Sequence, residues 1–148
     1  MAFKSRLKTE MLRLHRDSNK LGLRLTVDET DTNKWTIAFA GPEDSLYVGQ
    51  EMELEFRFPD KYPIKAPAVK FVGSIPVHPH VYSNGEICLS ILSRGWTPEL
   101  TVESVFVSIV SMLASCSEKK RPPDDRIATA VWKFMFRKPS FVFHDDHV

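Results

Sequence analysis

The stretch from His78 to Pro98 reads HPHVYSNGEICLSILSRGWTP and is the most informative part of this 148-residue chain. It contains Cys88, which follows the turn pair Asn84-Gly85 and precedes a run of apolar residues. Because Pro79 and Asn84-Gly85 interrupt the stretch, we expect it to form an irregular segment rather than a core strand.

The chemistry of Cys88 has two interpretations. A lone cysteine among isoleucines and leucines is commonly a small buried hydrophobe. However, His78 and His80 lie close before it, and a reactive cysteine needs a polar, partly accessible site. The chain has only two cysteines, so no pattern indicates a disulfide or a metal site. These features favour Cys88 as a nucleophile, and we expect Cys116 to be an inert structural thiol.

Length and composition indicate one domain, residues 1–148, with residues 126–148 as a variable, mobile C-terminal region. The formal net charge of +1 provides no general case for binding nucleic acid or membranes. No apolar run approaches the ~20 residues that a membrane span needs, and the N-terminus does not read as a signal peptide. We therefore predict a cytoplasmic or nuclear protein.

Hydrophobic periodicity predicts helices before and after a series of strands along the chain. Between residues 51 and 58 apolar side chains alternate with charged ones, which is typical of an antiparallel sheet with one face in water. The predicted fold class is α+β. The predicted elements are a helix over 3–16 interrupted at 17–20, strands over 21–25, 35–39, 51–58 and 69–72, a helix over 101–113 capped by Thr101, and a helix over 126–137.

The run His78-Pro79-x7-Ile87-Cys88-Leu89, followed by Trp96-x-Pro98, resembles the ubiquitin-conjugating enzymes. The resemblance covers nearly the whole chain, residues 3–131. Two flanking motifs fit the same family, namely Tyr62-Pro63-x-x-Ala66-Pro67 and Pro123-Asp124-Asp125. Three features are similar to the W subfamily, which ubiquitinates protein N-termini: the His-Pro-His triplet, the insert Glu118-Lys119-Lys120-Arg121 and the ending Phe143-His144-Asp145-Asp146.

The resemblance implies a four-stranded antiparallel sheet flanked by helices. It also implies that Cys88 accepts ubiquitin as a thioester and passes it to a protein amine. His80 occupies the position of an asparagine that supports the oxyanion or the nearby loop, so it acts in catalysis or only stabilises the loop. Asp125 matches an acidic residue opposite the cysteine; Asp124 competes for that role, and both aspartates alternatively cap the following helix. Ser90 stands where lysine-directed relatives carry aspartate, which weakens the case for lysine as acceptor.

The resemblance further implies partners. These are ubiquitin, the activating enzyme, a ligase of the RING or U-box type, and substrate N-termini. The residues expected to contact the ligase are Arg6, Pro63, Ile64, Thr97 and Pro98. No cofactor or metal is implied, because the activating enzyme uses the ATP. The alternatives are conjugation to lysines, conjugation of a ubiquitin-like modifier, and a non-catalytic scaffold with the same fold.

Overall fold

The N-terminal part of the chain forms one long helix. In this computed structural model, which describes residues 2–135, helix α1 spans Ala2–Leu21. The interruption predicted at residues 17–20 was wrong, because polar residues on an exposed helix face cost only ~0.7 kcal/mol each or less. The helix ends at Gly22, whose φ of 72° is the left-handed conformation that terminates many helices.

Four antiparallel strands follow, in the spatial order of the sequence. Met52, Leu54 and Phe56 are buried, whereas Glu51 and Glu53 are exposed, so the predicted alternation and the wet face are confirmed. The strands are β1 Leu23–Val27, β2 Lys34–Ala40, β3 Glu51–Arg57 and β4 Ala68–Val72.

The core lies between the buried face of this sheet and two helices. Leu14 of α1 is buried in it. Helix α2, Val102–Ala114, contributes Phe106, whose ring lies 5.2 Å from that of Phe39 on β2 in an edge-to-face contact. Thr101 caps α2 as predicted, because its hydroxyl accepts a hydrogen bond from the Ser104 N–H. The predicted α+β architecture is therefore confirmed.

Two further helices complete the described part of the chain, one inside the stretch from His78 to Pro98 and one after it. A short 3-10 helix covers Ser90–Leu92, and helix α3 covers Asp125–Met135. Residues 136–148 lie outside the described residues, so the predicted mobility of the C-terminal region stays a prediction. No helix in the described part of the chain is long and apolar enough to cross a membrane.

Candidate active site

The segment before Cys88 is attached to the edge of β4. Gly85 has a φ of 94°, and a Cβ atom there would lie 2.1 Å from the Phe71 carbonyl oxygen. The Gly85 carbonyl in turn accepts a hydrogen bond from the Phe71 N–H at 2.9 Å. Only glycine permits both the left-handed conformation and this close approach. The Asn84-Gly85 turn therefore determines where the next residues lie.

Cys88 is exposed and lies in irregular structure, as the turn signals predict. Its backbone N–H donates a hydrogen bond to the His80 carbonyl at 2.8 Å. The side chains of Leu89 and Ile91 pack partly against the core, so the exposed cysteine has neighbours that are held in place. The thiol therefore does not behave as a buried hydrophobe.

His78 and His80 have different environments. His78 is buried: its Nδ1 accepts a hydrogen bond from the His80 N–H at 2.9 Å, so Nε2 carries the proton and donates to the Met112 carbonyl at 3.0 Å. Burial lowers the pKa of His78. A neutral His78 thus connects the turn to the end of α2 and has a structural role. The His80 side chain, in contrast, is exposed.

Asp124 and Asp125 bind the active-site segment instead of pointing freely at the thiol. The Tyr82 hydroxyl donates to the Asp124 carboxylate at 3.2 and 3.3 Å, and the Ser83 N–H donates to Asp125 Oδ1 at 2.7 Å. Burial and the Asp124 hydrogen bond raise the pKa of Tyr82, which keeps its hydroxyl protonated as a donor. These contacts hold the start of α3 against the residues before Cys88. The predicted catalytic role of Asp125 stays a prediction.

Sequence reasoning missed a cleft of about 240 Å³ beside the His-Pro-His turn. The insert at residues 118–121 served there only as a feature similar to the W subfamily. The one available signal was the charge of Glu118 so close after the helix that faces the turn. The lining residues are His78, Pro79, His80, Met112, Ser115, Cys116, Ser117, Glu118 and Lys120.

The two loops predicted to bind the ligase lie side by side. The Trp96 indole N–H donates to the Pro63 carbonyl at 2.8 Å, and the rings of Trp96 and Tyr62 are 5.9 Å apart. Ile64 is 62% exposed at this surface, although most apolar side chains of this size are buried. Thr97 and Pro98 are exposed too. The structure therefore brings these four predicted ligase contacts together, and Arg6 reaches the same region from helix α1.

Arg6, the fifth predicted ligase contact, binds within the molecule. Its two terminal nitrogens donate to the carbonyls of Pro98 and Leu100 at 2.9 and 2.6 Å. Its Nε donates to the carboxylate of Glu10 at 2.8 Å. Arg6 therefore connects helix α1 to the loop that contains Pro98 and Leu100.

Glu10 is a buried carboxylate that sequence reasoning did not identify. Its oxygens accept hydrogen bonds from Arg6, from the Tyr62 hydroxyl and from the Val102 N–H, the last at 2.7 Å. Burial, and next to it the Glu10 charge, raise the pKa of Tyr62. The site at the N-terminus of α2 also suits a negative charge, because the helix dipole is positive there. Glu10 thus joins α1, the Tyr62 loop and α2.

Comparison with known proteins gives a consistent result. The family model described as ubiquitin-conjugating enzyme matches residues 6–138. The chain is 50% identical over 129 residues to the ubiquitin-conjugating enzyme E2 W of Caenorhabditis elegans, a match that covers 84% of this chain and 85% of the relative. It is 44% identical over 149 residues to the probable ubiquitin-conjugating enzyme E2 W-A of Danio rerio, covering 98% and 97% of the two chains.

Solved structures agree with the sequence matches. The crystal structure of ubiquitin conjugating enzyme E2 UbcA1 from Agrocybe aegerita is similar to this chain with a TM-score of 0.78 and 43% sequence identity. That match covers 85% of this chain and 92% of the other. The structural similarity therefore extends over most of both chains.

Proposed function

The chain belongs to the ubiquitin-conjugating enzyme family, and we propose that it transfers ubiquitin from a thioester on Cys88 to the α-amino groups of protein N-termini. Its relatives named E2 W place it in the W subfamily. It is a transferase, and family membership makes ubiquitin, an activating enzyme and a ligase its partners.

The exposed thiol of Cys88 carries the first part of the proposal. The activating enzyme delivers ubiquitin as a thioester, so the Cys88 sulfur replaces the activating enzyme's sulfur on the ubiquitin carbonyl carbon. An amine then attacks that carbon, a C–N bond forms, and the C–S bond breaks with Cys88 as the leaving thiolate. Because a thiolate leaves readily, the protein mainly has to position the amine, accept its proton and stabilise the oxyanion. No metal or cofactor takes part in these steps as we propose them.

The replacement of a carboxylate by Ser90, and the hydrogen bonds of the two aspartates, support an α-amine as the acceptor. Ser90 supplies a hydroxyl where a carboxylate would help to deprotonate lysine, and Asp124 and Asp125 bind Tyr82 and Ser83. An α-amine has a pKa of about 7.7–8.0, against about 10.4 for lysine. At pH 7.4 about a quarter of α-amines are neutral, but only about 0.1% of lysines are. A site with weak deprotonation therefore favours α-amines by on the order of a hundredfold.

His80 is the residue that we propose to assist this step. Its side chain is exposed, and its carbonyl accepts a hydrogen bond from the Cys88 N–H, so the two residues are neighbours through their backbones. A neutral imidazole can donate one hydrogen bond to an oxyanion or accept a proton from the attacking amine. Replacing His80 with asparagine tests this role. An unchanged rate and acceptor preference would remove it.

The experiment that tests the function measures discharge of ubiquitin-charged protein onto a disordered peptide that contains lysines. The peptide is supplied with its N-terminus free or acetylated. We expect modification of the free peptide only. Equal modification of both peptides would indicate a lysine-directed enzyme. Failure to charge with ubiquitin would favour another modifier or a scaffold.

A matched pair of cysteine variants identifies the nucleophile. Cys88→Lys should trap a stable amide-linked ubiquitin, whereas Cys116→Ser should charge with ubiquitin as the unmodified protein does. Cys116 is partly buried, and its thiol contacts the Tyr47 hydroxyl and the Glu118 carbonyl. Loss of charging in Cys116→Ser with an intact fold would contradict the assignment of Cys88 as the only ubiquitin carrier.

We also propose that the ligase is of the RING or U-box type and binds the surface around Ile64. The exposed Ile64 and the adjacent Thr97-Pro98 turn form an apolar patch on a rigid connection, because Trp96 bonds to the Pro63 carbonyl. Apolar residues at the centre of a small interface contribute a large share of its binding energy. This surface lies on loops separate from the Cys88 segment, so ligase binding and chemistry can be measured separately.

A further inference from the structure

The cleft of about 240 Å³ lies between the His78–His80 turn and the residues that follow α2. His80 forms part of its lining, and the His80 carbonyl accepts the hydrogen bond from the Cys88 N–H at 2.8 Å. His80 therefore lines the cleft and is also connected to Cys88 through its backbone carbonyl. Its volume is below the ~300–1,000 Å³ of pockets that enclose a small-molecule ligand, so it suits the end of a longer chain.

Glu118 lines this cleft and carries a carboxylate that can bind a ligand. It is exposed, and within the part of the chain that the structure describes no hydrogen bond or ion pair reaches its carboxylate. Asp124 and Asp125 differ, because the Tyr82 hydroxyl and the Ser83 N–H bind their oxygens. The backbone of Glu118 is held by the Cys116 thiol, which donates to the Glu118 carbonyl at 3.3 Å.

The charges that line the cleft indicate which chemistry it accepts. Glu118 and Lys120 carry opposite charges, and His78 is held neutral by its two hydrogen bonds. A cleft with this balance does not favour phosphate or another multiply charged anion. No group of three or more potential metal ligands was found among the described residues, although two histidines, Cys116 and Glu118 line the cleft. A polypeptide N-terminus carries one positive charge on an otherwise neutral backbone. That charge is complementary to the negative charge of Glu118.

We infer that this cleft binds the first residue of the acceptor polypeptide, with Glu118 accepting hydrogen bonds from its α-ammonium group. The inference rests on the proposed function and adds the acceptor site to it. The ammonium group gives one proton to His80, the nitrogen attacks the thioester carbonyl, and the C–S bond breaks. The departing Cys88 thiolate takes up the second proton, which leaves an amide, a thiol and a protonated imidazole. Glu118 acts by binding the acceptor and not as the base.

The test is a comparison of Glu118→Gln with Glu29→Gln, a matched change at an exposed residue after β1. Discharge is measured against the concentration of a lysine-free disordered peptide with a free N-terminus. Glu118→Gln should raise the half-saturating peptide concentration about tenfold, as expected for loss of a hydrogen bond between charged groups, with little change in maximal rate. Glu29→Gln should change neither value. Discharge onto hydroxylamine, a small nucleophile that needs no peptide site, should be unchanged in both variants.

A binding measurement accompanies the kinetics. Amide NMR signals of Ser117 and Glu118 in a Cys88→Ser protein should shift with the free peptide and not with its acetylated form. Equal half-saturating peptide concentrations in the two glutamine variants would overturn the assignment of the cleft as the acceptor site. Equal NMR shifts with the free and the acetylated peptide would also overturn it. The proposed N-terminal function would stand in both cases. Loss of hydroxylamine discharge in Glu118→Gln would also overturn it, because Glu118 would then act on the reaction. If the unmodified protein ignores a free N-terminus, the proposed function itself fails.

Discussion

Replacing Glu10 with glutamine should weaken the connection between helix α1, the Tyr62 loop and helix α2. The Glu10 side chain is 4% exposed, and its carboxylate accepts hydrogen bonds from Arg6 Nε, the Tyr62 hydroxyl and the Val102 N–H. Glutamine has nearly the same shape, but one end of its amide donates hydrogen bonds. One of the two positions that the carboxylate oxygens occupy would therefore hold an NH2 group. That group would face the donors that now bind Glu10.

The expected magnitude follows from these contacts. A hydrogen bond to a charged group contributes ~1.5–3 kcal/mol, and breaking a buried ion pair costs ~3–5 kcal/mol. The Arg6 side chain is 27% exposed, so water compensates part of its loss and the ion pair lies below the buried value. We therefore expect Glu10→Gln to lower the free energy of unfolding by ~2–4 kcal/mol.

Urea unfolding measures this change. The control is Glu53→Gln, an exposed residue of β3, which should stay within ~0.5 kcal/mol of the unmodified protein. A double-mutant cycle of Glu10→Gln with Tyr62→Phe should give a coupling of at least ~0.5 kcal/mol. If Glu10→Gln unfolds at the same urea concentration as Glu53→Gln, or if the cycle shows no coupling, the reasoning about this buried carboxylate is refuted.

Three further predictions concern other parts of the molecule. Gly85→Ala should lower the free energy of unfolding by ~2–4 kcal/mol, because the new Cβ would lie 2.1 Å from the Phe71 carbonyl oxygen at a φ of 94°. Gly73→Ala is its control: the φ is 70° but nothing lies within 4 Å, so a loss of ~1–2 kcal/mol is expected, and equal losses would contradict the clash. The pKa of His78 is lowered by burial, so the folded state binds fewer protons and its contribution to stability is complete above the unfolded pKa of ~6.5. Stability should fall as the pH drops from 7.5 to 5.5, and His78→Gln should remove part of this fall; an identical pH dependence in urea unfolding would argue against it. Ile64→Asp should abolish stimulation of discharge by a ligase while unassisted discharge and the urea midpoint stay unchanged, because the side chain is 62% exposed and anchors nothing inside the molecule. Full ligase stimulation of this variant would exclude the Ile64 surface.

The elements were predictable because their signals are local. Alternation of buried and exposed residues around Leu54 identified β3, and Thr101 marked the start of α2. The continuation of α1 through residues 17–20 was missed, since polar residues there resemble a turn although a helix accepts them on its exposed face. Local preferences of this kind are weak, and the left-handed glycine decides the boundary.

Fold class, family and the exposure of Cys88 could be predicted from the sequence alone, because periodicity and a contiguous motif encode all three. The partners of the charged and polar groups, in contrast, depend on how the chain folds. Glu10 meets Val102, 92 positions away, and His78 meets Met112, 34 positions away. The carboxylate of Asp125 was expected opposite the thiol and binds the Ser83 N–H. Hydrogen bonds depend on distances of about 3 Å between groups that folding brings together, and sequence spacing does not contain those distances.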